Sequence, residues 1–420
     1  MSPSDPKRGN GVTRPYDLVL FGATGFTGAL VAEYLAGHAP PSLRWALAGR
    51  SREKLEAVRR SLGMAQPRLA ELPLLVADSH DRASLDRVAQ DAHVVCTTVG
   101  PYALHGAELV AACVDAGTHY CDLTGEVQFI RRMIDAHHER AQQTGARIVH
   151  CAGFDSIPSD LGCLMLQEHA IEAFGAPCSV VRFSLTKNRG GVSGGTVASM
   201  LNLLDEARRD RSVLRTVGHP YALNPPGEQT GPDGSDQRGI GWDADAGTIT
   251  APFVMAAINT RVVRRSNALF GYRYGRDFSY SEVTSLPASP KGALTAAGLT
   301  LGLGGLLLAA NVPPLRRALE KRLPKPGEGP SRRARERGFF EVELRGTGAR
   351  PSGEPFEVRA VVAGTQDPGY GETAKMLGES ALCLASDALT SAGGVLTPAV
   401  ALGMTLVGRL RTAGMTFDIR

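Results

Sequence analysis

Several features are scarce or missing in this 420-residue chain, and each absence closes off a line of function. Charge of one sign is not in excess: 46 Lys and Arg face 42 Asp and Glu, a net +4. That is too little, and too evenly spread, for a nucleic-acid surface. The seven cysteines form no C-x-x-C pair and no Cys/His cluster at zinc spacing, so no metal site is expected. Cys96, Cys113, Cys121 and Cys151 sit in apolar patterns, where a cysteine behaves as a small hydrophobe. An odd count without a signal peptide points to a reducing cytoplasm. No tyrosine has a lysine four residues later, which removes the Tyr-x-x-x-Lys pair of short-chain dehydrogenases. There is no internal repeat. What remains is an ordinary globular composition, 43% apolar and 21% charged, with room for two domains.

The most informative stretch is Leu18-Val19-Leu20-Phe21-Gly22-Ala23-Thr24-Gly25-Phe26-Thr27-Gly28. An apolar run ends in glycines spaced G-x-x-G-x-x-G, and a helical pattern follows. That order of strand, glycine turn and helix start holds a dinucleotide pyrophosphate. Gly22 permits the turn, Gly25 lets backbone approach phosphate, and Gly28 lets helix and strand pack closely. Thr24, Phe26 and Thr27 complete the loop, whose helix N-terminus attracts the phosphate charge. The second strand ends in Gly49-Arg50-Ser51, with no carboxylate where an NAD site needs one. Arg50 and Ser51 suit a ribose 2′-phosphate instead. NADP(H) is therefore the expected cofactor.

Strand patterns fall at 18–21, 45–48, 72–77, 94–98, 119–121 and 147–150. Helical patterns fall between them at 27–36, 52–62, 83–89, 107–116 and 127–144. This alternation predicts an α/β fold, a Rossmann-type doubly wound parallel sheet with ligands at the strands' carboxyl ends. Asp78, Val99, Gly100, Tyr102, Asp122 and Cys151 stand at or just beyond those ends. Asp78 could bond the adenine amine or serve as a plain loop aspartate. A helix is predicted from an N-cap at Ser159 to Phe174, and another from Ser193 to Arg208. Residues 223–247 read as a long irregular loop. Strands at 179–185, 278–284, 339–344 and 356–362 predict a second, mixed α/β domain. Residues 370–389 read as helical, and a further helix is expected to open after Gly393. The predicted division is a disordered lead-in at 1–14 and an NADP-binding domain at 15–158. A substrate and dimerisation domain follows at 159–390, and 391–420 returns to the first domain.

Eight motifs resemble those of the saccharopine dehydrogenase-like oxidoreductases. Four are Gly22 to Gly28, Ala48-Gly49-Arg50-Ser51, Thr98-Val99-Gly100-Pro101-Tyr102 and Tyr120 to Glu126. The rest are Gly153 to Asp160, Asn259 to Ala268, Pro324 to Gly327 and Gly394 to Pro398. Within that family the chain is most similar to actinobacterial trans-acting enoyl reductases. The resemblance implies a Rossmann domain with an inserted α/β domain that also shapes a homodimer. It implies NADPH-dependent saturation of an α,β-unsaturated acyl thioester, carried on a polyketide synthase that lacks its own reductase, in lipid biosynthesis.

Enoyl reduction needs a hydride at the β-carbon, a donor polarising the thioester carbonyl, and a proton for the α-carbon. Tyr102 is the candidate catalytic residue, its hydroxyl polarising the carbonyl or supplying the proton; a packing tyrosine that holds the turn is the other reading. Asp122, Glu126 and Asp155 could bind substrate polar groups, or cap helices and form turns. Two other functions stay open. One is a redox-silent scaffold that binds NADP(H) without chemistry. The other is an amino-acid dehydrogenase of saccharopine type, for which Arg261, Arg264 and Arg265 would supply cations. Residues 292–315 carry no charge and approach the length of a membrane span. Arg316, Arg317, Lys321 and Arg322 follow. A buried or dimer-interface helix competes here with a peripheral anchor on the inner face of the cell membrane, and the anchor is the favoured expectation.

Overall fold

The structure is a computed structural model and describes residues 14–190, 194–320 and 329–420. The lead-in at 1–13, Ser193, the Pro324 to Gly327 motif, Lys321 and Arg322 lie outside those residues.

Six strands arise in the first third: β1 (Tyr16–Phe21), β2 (Trp45–Gly49), β3 (Leu74–Val76), β4 (Ala92–Thr97), β5 (His119–Cys121) and β6 (Arg147–Val149). All pair in parallel, with β4 and β2 on either side of β1. Leu18, Val19 and Leu20 are wholly buried, because helices cover both faces of a parallel sheet and every side chain must be apolar. The chain moves outward from β1 through β2 to β3, then restarts on β1's other edge at β4. That reversal opens a crevice above the carboxyl ends of β1 and β4, the usual ligand position in such sheets.

The second sheet is built from β7 (Val180–Arg189), β8 (Gly241–Asp243), β9 (Thr248–Pro252), β10 (Ser279–Pro287), β11 (Phe339–Ala349) and β12 (Pro355–Gly364). The last two strands are β13 (Gly394–Leu396) and β14 (Thr416–Ile419). β14 completes the second sheet in the order β14-β12-β11-β7-β10-β9-β8. It is antiparallel except where β7 meets β10. Helix Ile157–Phe174 lies across it, and a Cβ on Gly162 would come within 3.0 Å of Leu344 and 3.1 Å of Val362. One apolar core continues from Leu18 and Leu20 through Leu161 to Phe340 and Val362.

Four local expectations change. The helix expected from Ser159 starts at Ile157, since Pro158 in the first turn lacks only an N–H that would be orphaned anyway. The loop at 223–247 contains β8, whose three residues are too short to show a period. The segment at 391–420 is shared between the sheets: β13 pairs with β6, and β14 with β12. Helix Thr373–Ser386, preceded by a wide turn at Pro368–Glu372, packs on β1, β4, β5 and helix Phe26–His38. It therefore belongs to the first sheet's layer, although its sequence position falls within the second domain.

The apolar segment forms helix Pro290–Asn311. Only 12% of its most apolar window is buried, and Leu294, Leu301 and Leu308 are 76%, 74% and 63% exposed. Among its described residues the helix is thus mostly uncovered in this chain, with Ala296 and Ala310 buried and the helix packed on β9 and β10. Its helical glycines Gly298, Gly302, Gly304 and Gly305 have open space where a side chain would stand.

Candidate functional site

The glycine loop separates into two structural glycines and one that leaves space. Gly22 has φ +88°, and a Cβ there would lie 2.6 Å from Val99 Cγ2. At Gly28 a Cβ would stand 2.1 Å from the Gly22 carbonyl oxygen. A side chain is barred at Gly22 by the left-handed φ and the Val99 and Thr98 side chains, and at Gly28 by backbone. Gly25 differs: the nearest protein atom to its Cβ position is 3.5 Å away. The protein tolerates a methyl group there, so the space suits a ligand. Gly25 is also the N-cap of helix Phe26–His38 and gives it no side-chain cap, and the first turn carries no acid. The first N–H groups of that helix are therefore left for an anion. Thr98 Oγ1 donates to the Gly22 carbonyl oxygen at 3.2 Å, tying the end of β4 to the loop. Thr24 and Thr27 are half-buried beside it, and the Phe26 ring meets Tyr370 edge-on at 5.0 Å. Val99 is half-buried and Gly100 exposed at the crevice. These features fit a dinucleotide pyrophosphate.

Arg50 is exposed immediately after β2. Ser51 Oγ accepts from Lys54 N at 3.4 Å and so caps helix Arg52–Ala65. Beyond β3, Asp78 Oδ1 accepts from His80 N at 3.0 Å, which makes the aspartate a turn former as well as a candidate adenine contact. The fold adds two residues that no spacing announced. His105 Nδ1 lies 3.0 Å from His80 Nε2. Burial, then His80 and Arg50, push the His105 imidazole below its ordinary value. Arg50, Asp78, His80 and His105 thus gather at one end of the crevice, brought together from three separate loops.

At the other end, most polar groups serve the protein itself. Tyr102 is 6% exposed. Its hydroxyl donates to the Thr97 carbonyl and accepts from Leu123 N, both at 3.2 Å. Both uses of that oxygen are internal, and burial raises its pKa well above the ordinary value. This is the geometry of the packing reading. Glu126 accepts from Tyr102 N at 2.8 Å, Ala103 N at 2.9 Å and Ser199 Oγ at 2.8 Å; it caps the short helix Tyr102–His105. Asp122 is fully buried. It accepts from Tyr120 Oη, His150 Nδ1, Thr124 N and Cys151 N, which exhausts its carboxylate.

Cys151 has φ 63°, a left-handed conformation that a Cβ disfavours. Its N–H is held by Asp122, and its Sγ donates to the Thr124 carbonyl at 2.9 Å. Such strain persists only where the surroundings enforce it, and it clusters at functional sites. Four residues on stands Asp155, half-buried in the loop that leaves β6. Its carboxyl takes no hydrogen bond among the described residues, and burial alone pushes it up to about 7. A Cβ on Gly125, in the loop that leaves β5, would stand 3.4 Å from Asp155 Oδ2. Asp155 therefore joins the β5 and β6 loops at the sheet's carboxyl edge. Sequence alone placed it after a strand but could not separate it from a turn aspartate.

The arginines expected to serve a multi-carboxylate pocket are committed elsewhere. Arg261 bonds Asp236, and Arg264 bonds Asp233, the Pro220 carbonyl and the Tyr280 carbonyl. Arg265 bonds the Leu223 and Val395 carbonyls, and burial lowers it to about 9. All three are buried pins between elements, so the saccharopine-type reading loses its cationic pocket. Among the described residues no cluster of His, Cys, Asp and Glu could hold a metal.

A family model described as the saccharopine dehydrogenase NADP binding domain matches residues 18–149. Trans-acting enoyl reductases of Mycobacterium tuberculosis and Mycobacterium ulcerans are 43% and 42% identical to this chain. Each match covers 96% of this chain and 97% of the relative. A second M. tuberculosis protein, given that name provisionally, is 44% identical with the same coverage. Apo saccharopine dehydrogenase (L-Glu forming) from Saccharomyces cerevisiae superposes with a TM-score of 0.50 at 12% identity. That match covers 96% of this chain and 99% of the yeast one, and the likeness is one of fold.

Proposed function

The chain belongs to the trans-acting enoyl reductase family, on a saccharopine dehydrogenase-like frame, and from that premise we propose that it reduces the α,β double bond of an acyl thioester with NADPH. The observation that carries this reading is the crevice itself. The open position at Gly25 and the uncapped helix behind it supply a pyrophosphate cradle, while Arg50 takes the place after β2 where an NAD site carries its carboxylate. The substrate class follows the family: an unsaturated intermediate of lipid assembly, tethered to a separate polyketide synthase. Residues 15–158, with β13 and helix Thr373–Ser386, act as the cofactor unit, and the second sheet with its helices receives the acyl chain. The test is NADPH consumption on adding enoyl, keto and imino substrates in parallel. Consumption with the keto or imino set alone would overturn the reading, and consumption with none would favour the redox-silent scaffold.

When bound, NADPH supplies the hydride that the β-carbon needs. The chain's own part is to bind the phosphates through the loop amides and Arg50, and to deliver a proton to the α-carbon. We infer that Asp155 is that acid. It is half-buried at the carboxyl edge, holds its proton to about 7, and has no hydrogen-bond partner among the described residues to divert it. The C=C bond becomes a single bond, the Asp155 O–H breaks, and solvent returns the proton to the carboxylate. Tyr102 then acts by packing, fixing the Val99-Gly100 turn against Leu123.

The exposed helix Pro290–Asn311 extends the reading to location. Its exposed, leucine-rich surface, on which Lys291 is the one charged residue of the helix, fits contact with a bilayer from the cytoplasmic side, which would place the enzyme beside lipid substrates. Flotation with anionic liposomes is expected to carry the protein upward, and Leu294, Leu301 and Leu308 changed together to Ser should leave it behind. A protein that never floats but sediments as a dimer, and as a monomer once changed, would assign that face to a second copy of the chain.

A further inference from the structure

The densest basic run in the sequence, Arg332-Arg333-Ala334-Arg335-Glu336-Arg337, has no part in the cofactor crevice as described. In the fold it forms helix Arg332–Glu336, just before β11. Its arginines divide into two groups. Arg332 pairs with Glu336 at 2.7 Å. Arg335 turns inward, donating to the Pro330 carbonyl at 2.9 Å and lying 5.5 Å over the Phe26 ring. Arg333 and Arg337, four residues apart and hence on one side of the turn, have no carboxylate partner among the described residues. With Arg189, the last residue of β7, they line an open surface groove of about 490 Å³ completed by Gly190, Ser331 and Ala334. Among the described residues no acidic side chain lines it.

The surroundings hold this groove beside the cofactor loop. Asp367 N donates to the Arg335 carbonyl at 2.9 Å. A Cβ on Gly338 would fall 2.3 Å from Asp367 backbone, and one on Gly190 2.6 Å from Pro368 Cδ. The arginine helix and the end of β7 are therefore packed directly on the turn at Pro368–Glu372. Tyr370 from that turn meets the Phe26 ring, and Phe26 opens the helix behind Gly25. The carboxylate beside the groove, Asp367 behind Gly190, is taken up by the N–H groups of Gly369 and Gly371. Three guanidinium groups with no carboxylate partner among the described residues, next to a dinucleotide loop, therefore have the chemistry of a phosphate-ester site.

We propose that Arg189, Arg333 and Arg337 bind the phosphate of the phosphopantetheine arm that carries the thioester substrate. This rests on the enoyl-thioester reading and names how a tethered substrate is gripped. Pyrophosphate and 2′-phosphate already have their cradle at Gly25 and Arg50, so the cofactor leaves these three arginines unused. A carrier-borne substrate presents one phosphodiester on a flexible arm, and binding there would hold that arm beside the cofactor loop.

The experiment compares one enoyl acyl group on three carriers: a carrier protein, phosphopantetheine, and pantetheine without phosphate. Arg333→Ala with Arg337→Ala should raise KM roughly tenfold or more for the two phosphate-bearing substrates. KM for the pantetheine thioester, and the dissociation constant of NADPH, should not change. Arg332→Ala, on the same short helix but paired away from the groove, should leave all values as they are. Equal losses on all three carriers, a weakened NADPH, or no loss at all would each overturn the proposal. Binding of the phosphopantetheine thioester is also titrated directly by calorimetry. If the unmodified protein reduces none of the three, the enoyl-reductase reading has failed, whereas binding that still needs Arg333 and Arg337 would leave the phosphate site standing.

Discussion

Gly25→Ala is expected to abolish detectable NADPH binding while leaving the protein as stable as before. The nearest atom to the added methyl group is 3.5 Å away, an ordinary contact, so the fold has no reason to shift. The methyl group instead occupies the space where phosphate oxygens must meet the N–H groups that open helix Phe26–His38. Gly28→Ala is the contrasting control: its methyl group would stand 2.1 Å from a backbone carbonyl and should unfold the loop itself. Arg50→Ala should act on one cofactor only. Losing a hydrogen bond to a charged group costs about 1.5–3 kcal/mol, which is one to two orders of magnitude in NADPH affinity, while NADH changes little. Thermal melting with calorimetric titration of both cofactors checks all three variants. Normal NADPH affinity in a well-folded Gly25→Ala protein would remove the cradle from the crevice.

Asp155→Asn should lower kcat by roughly 10²–10⁴, the usual contribution of a positioned general acid. NADPH affinity should stay unchanged. The pH profile distinguishes chemistry from packing. Burial raises the carboxyl from 3.8 to about 7, so the proton-bearing form dominates below that value and kcat should fall as pH rises through it. Asn cannot donate, so the residual rate should lose that limb. The same shift fixes the sign of the stability effect. An unfolded chain releases this proton near 3.8 and the folded one near 7, so the stabilisation is present at low pH and gone above about 7. The variant should therefore lose nothing in stability at pH 8. A kcat within twofold of normal, or an intact pH limb, would return Asp155 to a turn residue.

The parallel sheet was legible because its causes are local. Leu18 to Phe21 is a continuous apolar run, and helices 107–116 and 127–144 agree with the structure residue for residue. Each ends at a glycine in the left-handed region, Gly117 and Gly145, which is a stop signal visible in the sequence. The family was legible for the same reason, since its motifs are contiguous. Sites assembled from separate loops were not. Nothing near His105 points to His80, and nothing in Asp155's own segment tells that Gly125 will leave its carboxyl unbonded. Tyr102 drew attention by following Gly-Pro at a strand end. Its hydroxyl partners, Thr97 and Leu123, belong to two different strand ends, and only folding brings them to it. The exposed helix Pro290–Asn311 posed the opposite difficulty: composition alone reads the same for a core helix and an uncovered one, and only burial separates them.

Transfer of deuterium from NADPH labelled at C4 to an enoyl thioester tests the central claim most directly. The acyl group is presented on a carrier protein so that a tethered substrate is not mistaken for an unreactive one. The expected product is the saturated thioester with deuterium at the β-carbon, formed with one NADPH oxidised per double bond. Run in D₂O with unlabelled NADPH, the same reaction should place deuterium at the α-carbon. Label recovered at a carbonyl or imine carbon, or NADPH that binds at Gly25 and is never oxidised, would contradict an enoyl reductase.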